Sequence, residues 1–176
     1  MAAIERPGPG EIAPYYVKYV EHVEVGDLIG ALIEASKKTE AVLARIPKDM
    51  EAHRYEAGKW TIKEVFQHMV DCERIFNYRA LRFARNDATE LPGFDENAYA
   101  LSAATEHRTL NEIAEELRAV RAGTVAFFAG CTSEVVTRTG LANGAWMSVR
   151  AIGWTIAGHA LHHINVIEDR YLHGQA

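Results

Sequence analysis

Four stretches of this chain repeat apolar residues at helical spacing, and the segments between them are rich in turn-forming residues. Residues 25–46, VGDLIGALIEASKKTEAVLARI, place Leu28, Leu32, Ile33, Ala35, Val42, Leu43 and Ile46 on one stripe, and Pro47 ends the run. A second stretch opens at Thr61, where Thr61-x-x-Glu64 is a capping box, and reaches about Ala84. Its apolar face holds Ile62, Val65, Phe66, Met69, Phe76, Ala80 and Phe83. A third opens on Thr109-x-x-Glu112 and reaches about Ala129, and a fourth follows the N-cap candidate Ser148 to about Leu172. Four helices of roughly 20 residues each predict an all-α helical bundle.

The connections fit this reading. PKDMEAHRYEAGK (47–59) and LPGFDENAYALSA (91–103) are turn-rich, and TSEVVTRTGLANGAW (132–146) reads as a loop that could instead hide a short hairpin. Residues 1–24 read as an extended N-terminal arm laid across a bundle domain of residues 25–176. With 176 residues the chain suits one domain with a sizeable core. Its formal charge of −5 argues against a broad nucleic-acid or anionic-membrane surface. No apolar run approaches a membrane span, and the N-terminus has no signal-peptide core. The two cysteines, Cys72 and Cys131, form no CxxC pair, so the expectation is a reduced, cytoplasmic protein.

Within the fourth helix, Val149, Ile152, Ile156, His159, His163, Val166 and Arg170 follow a 3-4 spacing, the seam that a bundle helix turns inward. His159 and His163 diverge by only about 40° at about 100° per residue, so both imidazoles can reach one point. His162 lies at the edge of that stripe, roughly 90° away. Two core imidazoles either find hydrogen-bond partners or share a cation, and a third ligand would favour the cation. On the second helix, His68 sits at the edge of the apolar arc beside Val65 and Cys72. His22, His53 and His107 fall in segment starts or linkers and His173 in the tail, so they are weaker choices. His68, His159 and His163 make a three-histidine site with an open position, suited to zinc or nickel and also to iron.

Three segments carry a resemblance: RYEAGKWTIKEVFQHMVDCERIFNYRALRFARNDATELPGFDENAY, VRAGTVAFF, and RTGLANGAWMSVRAIGWTIAGHALHHINVIEDRYL. They contain W-[ST]-x-x-E-x-x-x-H, as Trp60 to His68, and H-x-x-H-H, as His159 to His163. With them the chain resembles the DinB-like (DinB/YfiT) family from about Gly8 to Leu172. The resemblance implies an up-down four-helix bundle with a long connection between the second and third helices. It also implies a divalent metal held by His68, His159 and His163, with His162 as a contact to a ligand or to substrate.

Relatives so resembled include metal-dependent hydrolases and transferases that use low-molecular-weight thiols. Three neutral imidazoles leave a divalent ion its full charge, which suits activation of water or of a thiol. The expected partners are therefore a small-molecule substrate, with a low-molecular-weight thiol as co-substrate in the transferase case. The alternative is a non-catalytic metal-binding or stress-related interaction protein. Glu64 and Asp71 flank His68 by about one turn and are candidates for general base, although Glu64 already serves the capping box. Cys72 follows His68 by one turn and reads mainly as a small buried hydrophobe. Arg74, Arg79 and Arg82 read as surface charge or partners of Glu73, with an anionic substrate as the other option. A di-iron bundle needs Glu-x-x-His on two helices, and the chain contains no such motif. Pairing through an outer helix face makes a homodimer the expected assembly.

Overall fold

Both capping boxes form. Thr61 Oγ1 accepts from the Glu64 amide at 3.1 Å, and the Thr61 amide donates to Glu64 Oε2 at 2.6 Å. Thr109 and Glu112 repeat the exchange at 3.2 and 2.7 Å. Each box satisfies two backbone donors that a helix start leaves unpaired. The computed structural model describes residues 3–172. In chain order its elements are α1 (Pro14–Val20), α2 (Leu28–Leu43), α3 (Ile62–Ala84), α4 (Glu96–Ser102), α5 (Leu110–Ala129), α6 (Ser133–Thr137), strands β1 (Thr139–Ala142) and β2 (Ala145–Ser148), and α7 (Val149–Val166), which widens into a π-helical stretch over Ile167–Leu172. His173 lies outside the described residues.

Helices α2, α3, α5 and α7 form the expected four-helix bundle, and ion pairs and hydrogen bonds fix how they run. Gln67 meets Arg108 just before α5, and Asn77 meets Thr124 near its far end, so α3 and α5 run parallel. Arg45 after α2 pairs with Glu168 after α7, so those two also run parallel. The order is up, down, down, up. Two consecutive parallel helices need a connection that climbs back along the bundle. Residues 85–109, with α4 inside them, are that long connection.

Helix α7 is covered on every side: Ala151 through Leu161 are all buried. A helix that is apolar almost all round belongs in a core, and here α2, α3 and α1 surround it. One inward stripe was therefore too narrow a description. Near the end of α7 the stripe also shifts, because the π-helical widening turns Ile167 and Tyr171 inward and leaves Arg170 exposed. Ile33, expected in the core, is 43% exposed. It borders a surface groove between α2 and α5.

Part of the stretch read as an extended arm is helical. Pro14 starts α1 with a preset φ and Lys18 sits in its last turn. Gly158 is what lets α1 lie so close to α7, since a Cβ there would stand 2.0 Å from the Tyr19 carbonyl oxygen. The alternative weighed for residues 132–146 is the observed one: β1 and β2 pair antiparallel from Thr139↔Ser148 to Ala142↔Ala145. Asn143 and Gly144 turn the hairpin with φ of 52° and 71°, the left-handed pair that such a turn requires. Leu91 bridges to Ala142 and so anchors the long connection beside the hairpin.

Candidate functional site

The site lies between α3 and α7, where their antiparallel packing brings His68 opposite His159 and His163. His68 Nε2 and His163 Nε2 each stand 3.1 Å from His159 Nε2. A ring nitrogen offers one direction, either an N–H or a lone pair. At most one of these two contacts can therefore be a well-directed hydrogen bond, and the three nitrogens converge on a shared space. His159 is 7% exposed, while His68 and His163 are half-buried at the edge of a cleft.

Burial and mutual repulsion keep the three rings neutral. Desolvation lowers His68 to about 4, with the nearby His162 adding to the effect. His159 is driven well below its ordinary value by burial and then by His163 and His68, and His163 by burial and then by His68. Their orientation is fixed by aromatic neighbours. Trp60 lies 4.7 Å from the His68 ring, and Tyr19 meets His159 edge-on at 5.3 Å. Trp60, the first residue of the motif that ends at His68, thus forms a wall of the site.

Cys72 belongs to the cluster as well. Its Sγ stands 3.5 Å from His68 Nδ1, and the ligand atoms of His68, Cys72 and His159 lie within 4.8 Å of one another. Burial pushes its thiol up to about 12, so the sulfur is protonated at neutral pH. His162 turns aside: its ring packs on Tyr19 and His22 at 5.3 and 5.5 Å.

The two carboxylates flanking His68 point elsewhere. Glu64 is held in its capping box and pairs with Arg54, and Asp71 accepts from Gln67 at 3.0 Å. Neither lines the cleft. A space of about 420 Å³ opens over the histidines, walled by Tyr16, Tyr19, Trp60, Phe76 and Phe94. Arg79 and Glu96 line it too, and Glu96 is the one carboxylate among the described residues that does so. Sequence reasoning missed Glu96, because it sits in the long connection, where no periodicity assigns a direction.

A family model for the DinB superfamily matches residues 31–167. The chain belongs to the DinB superfamily. That model spans α2 to the end of α7, and the three clustered histidines lie inside it. Solved structures place this DinB-superfamily chain in the same fold. One is YfiT from Bacillus subtilis, described as a probable metal-dependent hydrolase with an unusual four-helix bundle topology. It matches with a TM-score of 0.70 at 16% identity, covering 94% of this chain and 91% of that one. A protein from Streptococcus pneumoniae matches with a TM-score of 0.63 at 12% identity, covering 90% of this chain and 99% of that one. No curated protein matches the chain.

Proposed function

We propose that the protein is a metal-dependent hydrolase of a small molecule, with a divalent ion held by His68, His159 and His163. The observation that carries this reading is the convergence of three neutral imidazole nitrogens on one space, two of them 3.1 Å from the third. Nitrogens that share an ion at about 2.0–2.1 Å each would stand about that far apart. The contacts make poor hydrogen bonds, so the donor set fits a cation better than it fits itself. Imidazole suits zinc, nickel and iron alike. Likeness to YfiT, itself described as a probable metal-dependent hydrolase, points the same way.

Bound there, the ion supplies Lewis acidity to a carbonyl or phosphoryl oxygen and lowers the pKa of water. The protein's own groups do the rest. The aromatic walls exclude bulk water and hold an apolar substrate body. Glu96, exposed at the mouth, takes the proton released by the attacking water on its carboxylate. Cys72 fills the floor beside His68.

Metal analysis of purified protein tests this reading. One equivalent of metal is expected in wild type and in His162→Ala, and far less in His159→Ala and His163→Ala. Chelation should abolish ester or amide turnover, and added metal should restore it. Full metal retention by the His159 and His163 variants would remove the assignment. Turnover that requires glutathione, bacillithiol or mycothiol would make the protein a thiol transferase instead.

A further inference from the structure

Helix α3 carries three arginines, and the structure separates them. Arg74 pairs with Glu116 at 2.9 Å, and Arg82 pairs with Asp87. Glu73 is engaged by Arg121 and Thr124. Arg79 is different. It is 4% exposed, and among the described residues no carboxylate oxygen lies within 4.0 Å of it. Of its five N–H donors, one on Nη2 donates to the Pro92 carbonyl at 2.9 Å and another is directed to the Tyr16 hydroxyl. The guanidinium stands 5.9 Å from the Phe76 ring and 5.9 Å from the Phe94 ring, beside the Tyr16 phenol, and it lines the cleft.

A buried guanidinium without a counter-charge is costly, and proteins seldom keep one unless something completes it. A counter-charge can reach it through the cleft that it lines. We propose that Arg79 binds the carboxylate of the substrate, and that the substrate is a small monocarboxylic acid with an apolar, ring-sized body. The planar fork of an arginine matches two carboxylate oxygens at once. The Phe76 and Phe94 rings beside the fork leave room for a flat or apolar group, and among the described residues no second arginine or lysine lines the cleft to meet a dianion. Glu96, on the same cleft, adds a negative charge that further selects for a singly charged ligand. Phe76 stands between the two ends, its centroid 6.1 Å from the His159 ring and 5.9 Å from Arg79 Cζ. A compact molecule anchored at Arg79 thus reaches the histidines with its opposite end. The orientation rests on the hydrolase reading above, whereas the carboxylate contact does not.

Calorimetric titration with phenylacetate, its neutral isostere phenylacetamide, and benzylphosphonate tests the proposal. Each probe is added to the protein after chelation and again after zinc loading. Wild type should prefer phenylacetate over the amide by about tenfold or more in both states, which is one charge-assisted contact. After chelation it should bind the phosphonate more weakly than the carboxylate. Arg79→Gln should lose the preference, Arg79→Lys should keep part of it, and the exposed-site control Arg74→Gln should keep all of it. Circular dichroism on each variant checks folding, and the wild-type comparison of acid with amide stands even where a variant misfolds. Equal affinity of wild type for acid and amide, including binding of neither, overturns the proposal. So does retention of the preference by Arg79→Gln, and so does tighter binding of the phosphonate after chelation. A preference that appears only with zinc and survives Arg79→Gln places the carboxylate on the ion, sinking this proposal while sparing the hydrolase reading. A protein that holds no metal yet shows the Arg79-dependent preference does the reverse.

Discussion

Glu73 and Arg121 face each other across α3 and α5 through two nearly equal hydrogen bonds, Nε to Oε1 at 2.7 Å and Nη2 to Oε2 at 2.8 Å. Both side chains are buried, at 4% and 8% exposure, and Thr124 Oγ1 donates to the same carboxylate at 2.6 Å. Arg121 Nη1 also reaches the Leu32 carbonyl at 3.0 Å, which ties α2 to the pair. Removing one partner strands the other charge in the core, at a cost of about 3–5 kcal/mol. Glu73→Ala should therefore unfold at markedly lower denaturant, whereas Glu73→Met combined with Arg121→Met should recover much of the loss. A double variant less stable than either single would contradict this account. Equilibrium urea unfolding makes the comparison.

Glu96 should matter to turnover and not to folding. It is exposed on the first turn of α4 and makes no ion pair among the described residues, so Glu96→Gln leaves the melting temperature within about a degree. As the proton acceptor of the proposed reaction, it should contribute about 10²–10⁴-fold to kcat. The expected signature is a large fall in kcat with KM little changed. Unaltered kcat would remove Glu96 from the reaction.

Gly158→Ala should loosen α1. Its Cβ would stand 2.0 Å from the Tyr19 carbonyl oxygen, which is backbone and cannot swing away. Overpacking of this kind costs about 1–3 kcal/mol. Because Tyr15, Tyr16 and Tyr19 all line the cleft, ligand binding should weaken along with stability. Limited proteolysis should cut the variant within residues 3–24 faster than wild type, and equal cutting rates would argue against the glycine as the docking point.

The N-terminal segment should also release in acid. Glu11 accepts from Arg150 Nε at 2.6 Å and from Ser148 Oγ at 2.9 Å, and the bond from Arg150 is the main cause of its lowered pKa. A carboxylate with a depressed folded value stabilises the fold above its unfolded value of about 4.3. That contribution disappears as pH falls through the folded value. The stability difference between wild type and Glu11→Gln should thus be largest near pH 7 and shrink as pH falls below the ordinary carboxylate range. A difference independent of pH would mean that packing, not ionisation, holds the segment.

Three of the four helices were legible because Thr61, Thr109 and Ser148 cap them, and the first because apolar spacing runs from Leu28 to Ile46 and stops at Pro47. His159 and His163 were legible for the same reason, since i and i+4 on one helix share a face whatever surrounds it. The environment of Arg79 was not. Its burial depends on Pro92 and Phe94, which arrive from a connection with no periodicity, so one helix could not distinguish it from Arg74 or Arg82. Helix α1 was missed because its seven residues, PYYVKYV, are short, aromatic and β-branched, and packing on α7 decides their conformation. Ile33 looked like a core residue because spacing marks a stripe and not its edge.

The up-down-down-up order has a further consequence for how the protein is made. His68 and His159 are separated by 91 positions, and Arg45 meets Glu168 across 123. The packing of α7 on α2 and α3 joins distant parts of the chain, which slows folding relative to simple helical hairpins. During synthesis α2, α3 and α5 emerge with their apolar faces turned toward a helix that does not yet exist. Only when α7 clears the ribosome does the centre fill, and with it the last two of three imidazoles arrive together. The protein thus passes through a long interval of exposed greasy surface, the state that chaperones recognise.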